Sequence, residues 1–72
     1  MDRNLLYNDL NNATDGKKHF IKVVKQTQER SIKEYCNTLE LLKAEGKIVY
    51  EECRLYEDTY EPLIRMRGWI IQ

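Results

Sequence analysis

The 72-residue chain is long enough for one domain and too short for two cores. Twelve Lys and Arg balance twelve Asp and Glu, so no net field draws it to nucleic acid or to an anionic membrane surface. Charges interrupt every apolar run before it reaches the length of a membrane span, and a domain this small calls for a staple or a partner subunit.

Residues 1–16 are rich in Asn and Asp. Leu6, Leu10 and Ala13 would suit a short helix after Asp2, but Asn11 and Asn12 weaken it, and the segment reads as a flexible N-terminal arm. Asp15-Gly16 marks a turn. The remainder, 17–72, reads as a single α+β domain.

From Lys18 to Lys25 the apolar residues Phe20, Ile21, Val23 and Val24 are aromatic or β-branched, which suits a strand. A short helix through Phe20, Val23, Val24 and Thr27 is the alternative. The next segment, Thr27 to Gly46, has the clearest helical period: Ile32, Tyr35, Cys36, Leu39 and Leu42 share one face. Its start is open between Thr27, which we prefer, and Ser31 with Glu34 three residues on. Gly46 supplies the left-handed residue that closes it.

After Gly46, Ile48 and Tyr50 alternate in one phase and Cys53 and Leu55 in the other, so a bulge at Glu51-Glu52 is expected. Glu57 to Glu61 is a polar connection. The last strand, Leu63 to Ile71, puts Ile64, Met66 and Ile70 on one face and Leu63, Trp69 and Ile71 on the other, with Arg65 and Arg67. Placing this most apolar strand in the middle gives the order second, third, first, with one helix on a three-stranded, mostly antiparallel sheet. Trp69 is expected to be largely buried, in the core or between subunits. The leftover apolar face suggests a homodimer, with Leu63, Trp69 and Ile71 as candidate dimer or core contacts.

The helix Ser31 to Leu42, the segment Lys47 to Tyr56 and the ending Arg67-Gly-Trp-Ile-Ile together resemble the YopT family, small uncharacterised proteins of a Bacillus prophage that are unrelated to the like-named effector protease. The resemblance spans the chain and carries no catalytic or binding motif. It implies a homodimer with one helix and three strands per subunit, in a phage or prophage accessory protein.

Chemistry is sparse. His19, the single histidine, would need a second acid or base to act in a small ribonuclease, and none stands at a recognisable spacing. Cys36 and Cys53 are 17 residues apart, with no Cys-x-x-Cys or His-x-x-x-His pair, so neither a metal nor a cofactor is implied. Buried free thiols are the simplest reading, a disulfide the other. The acid pairs Glu51-Glu52 and Glu57-Asp58 read as solvated edge charges. No signal peptide is evident, which points to a cytoplasmic address.

The basic stretch 17–33 holds Lys17, Lys18, Lys22, Lys25, Arg30 and Lys33 against one acid, Glu29. If these converged they would contact phosphates. That idea sharpens if residues 3–13 and 17–25 are both helices, which gives a winged-helix outline with the Thr27 helix reading a major groove. The expectation is therefore a non-enzymatic homodimeric interaction module with an unidentified protein partner; the alternative is a nucleic-acid-binding regulator.

Overall fold

Asp2 opens the first helix by accepting hydrogen bonds on Oδ1 from the backbone N–H groups of Asn4 (2.8 Å) and Leu5 (3.4 Å). In the computed structural model, which describes residues 1–57 and 60–72, the elements run α1 (Arg3–Asn12), β1 (His19–Lys25), α2 (Ile32–Ala44), β2 (Ile48–Tyr56) and β3 (Leu63–Ile70). Both strand pairs are antiparallel, in the order β1-β3-β2, which is the expected order. The fold class is α+β, with two helices on one face of the sheet rather than one.

The second helix is α1. The segment expected to be an arm is a docked element: Leu10 is fully buried and Leu6 nearly so, in the same core as Phe20, Tyr35 and Leu39. Burial of two leucines and the Asp2 cap outweigh the poor helix propensity of the asparagines. The Arg3 guanidinium also meets Glu45, beyond the end of α2, at 2.7 Å.

Helix α2 starts at Ser31, not Thr27. Ser31 Oγ accepts from the Glu34 N–H at 3.4 Å, while Thr27 Oγ1 accepts from Arg30 N–H at 2.9 Å and so closes a separate turn before the helix. At the other end Gly46 sits at φ +74, its N–H bonds to the Lys43 carbonyl at 3.0 Å, and the Lys47 N–H reaches the Leu42 carbonyl at 3.1 Å. Those two bonds form a Schellman closure. The stripe expected on α2 faces the sheet: Tyr35, Leu39 and Leu42 are buried and Ile32 packs beside them.

The sheet's inner face carries Phe20, Ile48, Ile64, Met66 and Ile70, all buried. The register of β2 against β3 slips between Tyr50 and Glu52, so the expected bulge is present and Glu51 is the extra residue. It restores the inward phase for Cys53 and Leu55, both packed against the core. Asp58 and Thr59 lie outside the described residues, and the expected acid pair Glu57-Asp58 falls partly there.

Residues 19–25 form a strand, which removes the winged-helix architecture: α2 has no preceding helix in that place. Among the described residues, no helix is long and apolar enough to cross a membrane.

Candidate interaction face of the sheet

Because both helices cover the same side, the alternate residues of each strand point away from the core. The register assembles them into rows across the sheet. His19, Trp69 and Val49 form the first row, Ile21, Arg67 and Glu52 the next, then Val23, Arg65 and Arg54, and finally Lys25, Leu63 and Tyr56. Ile21 and Val23 are 47% and 51% exposed, Val49 40% and Trp69 38%. These are apolar side chains left in water on a β-sheet with no second layer.

Trp69, expected to be buried in the core or between subunits, lies outside the core of the single chain. It lies on the open face, where the His19 ring meets it edge-on at 4.9 Å between centroids. Ile71 is exposed just beyond the end of β3, and Leu63 is half-buried. None of Leu63, Trp69 and Ile71 belongs to the core, so the core half of that expectation is corrected.

Charge on the face is arranged in opposite-sign pairs. Arg67 Nε approaches Glu51 Oε1 at 3.2 Å, and Arg65 Nε approaches Glu52 Oε1 at 3.3 Å. Arg67 Nε and Glu52 Oε1 are shielded from water yet have no aligned hydrogen bond, so these pairs hold by charge without good geometry. Lys25 Nζ pairs with Glu61 at 2.9 Å, and the Arg54 guanidinium lies over the Tyr56 ring at 5.3 Å. On this face the bulge residue has a direct role, because it brings Glu51 and Glu52 side by side to meet two arginines.

The basic stretch does not converge. Lys17 and Lys18 are exposed before β1, Lys25 is at its far end on the outer face, and Lys33 is exposed on the first turn of α2. Lys22 and Arg30 line a cavity of about 400 Å³ between α1 and β1, with Tyr35 at its wall and Asp2 and Asp9 to offset their charge. Sequence reasoning singled out those six cations; it placed Arg65 and Arg67 beside Trp69 without naming them as contacts, and it missed Arg54, which the register brings to the same face. Alternation within β2 could have found it once the bulge phase was applied.

Asp15 draws its acidity from the turn before β1. Its Oδ1 accepts from the backbone N–H groups of Lys17 (2.8 Å) and His19 (3.1 Å), which hold the carboxyl below its usual range. It binds the backbone of His19, and the imidazole meets the Trp69 ring edge-on instead. Tyr50 donates to Glu40 across the α2–β2 interface, and burial followed by that hydrogen bond pushes its phenol well above the usual range. No group of three or more His, Cys, Asp or Glu among the described residues could hold a metal ion. Comparison of the chain with protein-family models, with curated proteins and with solved structures finds no match in any of the three.

Proposed function

We propose that the chain is a non-enzymatic interaction module that acts as a homodimer, a second copy covering the open face of the sheet. The observation that carries this reading is the composition of that face. Ile21, Val23, Val49 and Trp69 are left in water beside two Arg–Glu pairs of imperfect geometry. A two-fold axis through the face would set the arginines of one copy near the glutamates of the other, which is how an isologous interface matches itself. The resemblance to small prophage proteins supports an accessory role in a phage or prophage, with a further protein as the eventual partner.

Size sets the strength of such a dimer. Three strands about 4.8 Å apart and eight residues long give a footprint of about 400 Å² per copy. At about 800 Å² for the two copies together this is below the roughly 1,000 Å² of a stable specific interface, so the dimer is expected to be weak, in the micromolar range or above.

Nucleic acid is the competing occupant, since aromatic rings beside arginines also suit stacked bases. Among the described residues of the face, however, Lys25, Arg54, Arg65 and Arg67 are opposed by Glu51, Glu52 and Glu61. A nearly neutral surface favours a protein copy.

Light scattering from about 5 to about 500 μM, a range that brackets micromolar association, decides the matter. The mass should rise from one chain to two, and Val23→Glu should hold it at one. A single-chain mass at the highest concentration, or salt-sensitive binding of a single-stranded oligonucleotide that competes with dimer formation, would overturn the reading.

A further inference from the structure

Cys36 lies on the sheet-facing side of α2 and Cys53 on the helix-facing side of β2, two residues past the bulge. Their sulfurs are 2.9 Å apart, and Cys36 Sγ also lies 3.6 Å from the Cys53 carbonyl oxygen. A disulfide bond is about 2.05 Å long, so less than an ångström of closure separates the present arrangement from a bond. Both residues are free thiols, as expected, but half-buried rather than buried, which leaves them open to a small reagent.

The bulge makes this juxtaposition. Ile48 and Tyr50 point inward, so unbroken alternation would turn position 52 toward α2 and position 53 away. The extra residue Glu51 inverts the phase and aims Cys53 at the helix. Neither the dimer face nor the packing of Leu39 and Leu42 requires a thiol at either position.

We propose that Cys36 and Cys53 are a reversible modification site, a dithiol that thiol–disulfide exchange with a low-molecular-weight disulfide converts to an intrachain bond tying α2 to β2. In the first step the Cys36 thiolate attacks one sulfur of the reagent, forming a mixed disulfide and releasing one thiol. In the second, Cys53 loses its proton and its sulfur displaces the remaining reagent thiol. Two electrons pass from the protein's cysteines to the reagent, and two reagent thiols leave with two protons. Burial, then the neighbouring Cys36 sulfur, raises the Cys53 thiol above its ordinary range, which disfavours Cys53 as the first attacking sulfur; in the second step the mixed disulfide held beside it offsets that disadvantage by proximity.

The test is to treat the reduced full-length protein with oxidised glutathione at mildly alkaline pH and then record intact mass, non-reducing gel mobility and thermal unfolding. The expected product is one chain, lighter by two hydrogens. Its Tm should be higher by roughly 10 °C, from closing a loop of this length, and dithiothreitol should reverse the change. Cys53→Ser should stop at a stable glutathione adduct. Persistent adducts on the unmodified sequence, disulfide-linked pairs of chains, or no reaction would each overturn the proposal. So would failure of Cys53→Ser to take up glutathione.

Discussion

Phe20 faces Gly68 across the β1–β3 pair, and the tip of its ring comes within 3.0 Å of the point that a Cβ on that glycine would occupy. The missing side chain on the central strand is what lets the ring lie flat against the backbone. On the other flank that Cβ would fall 2.3 Å from the Val49 carbonyl oxygen and 2.6 Å from the Tyr50 Cα. Backbone on β2 cannot yield as a side-chain tip can. Gly68→Ala should therefore cost about 3 kcal/mol, the upper part of the range for overpacking, read from the urea midpoint. A change below about 0.5 kcal/mol, typical of an unconstrained surface site, would mean that β2 and β3 are further apart there than described.

Helix α1 belongs to the folded unit, which makes truncation informative. Leu10→Ala should destabilise by about 3 kcal/mol, as for other fully buried leucines. Removal of residues 1–12 should abolish cooperative unfolding by uncovering Phe20 and Tyr35. Circular dichroism melts of both variants check this, and a truncated chain that melts like the whole one would return the segment to the status of a loose arm.

Trp69 should matter to assembly more than to the fold of one subunit. Its edge contact with His19 and its partial burial make Trp69→Ala cost about 1 kcal/mol at low micromolar concentration, where dimers dissociate. Tryptophan emission should shift to shorter wavelength as concentration rises, because the covering copy removes water from the ring. A loss above about 3 kcal/mol in the dilute protein, the range of buried Trp truncations, would return the ring to the core.

Acid should loosen the turn before β1. The Asp15 carboxyl is held below its ordinary value of 3.8 in the folded chain, by the N–H of Lys17 and then that of His19. The folded state thus binds that proton less readily than the unfolded one. The contribution is fully present above the unfolded value and is lost as pH falls through the lower folded one. Asp15→Asn removes the titration, so its unfolding midpoint should fall less steeply than that of the unaltered chain between about pH 4 and pH 2. Parallel curves would show that the turn does not report on Asp15.

Periodicity made much of the fold legible. The α2 stripe, the Gly46 closure, the slip at Glu51 and the central place of β3 all follow from residue type and spacing, because each is a local pattern with one steric answer. The segments that escaped depend on tertiary packing. Leu6 and Leu10 are too few to announce a helix until β1 and α2 offer them a core. Thr27 and Ser31 are both competent caps, and Gln26 favours the second by accepting the Ile32 N–H at 3.1 Å, six residues away. The phase of β3 sets Trp69 beside Arg65 and Arg67, on the face away from Ile64, Met66 and Ile70, and the structure keeps it there. The face is legible only in the register, which spacing along one strand does not contain.

Every strand pairing in the sheet runs through β3, which comes last in the order of elements. Neither β1 nor β2 has a ladder partner without residues 63–70. A chain broken off before Leu63 keeps neither of the two ladders, because β1 and β2 each pair with β3 and not with one another.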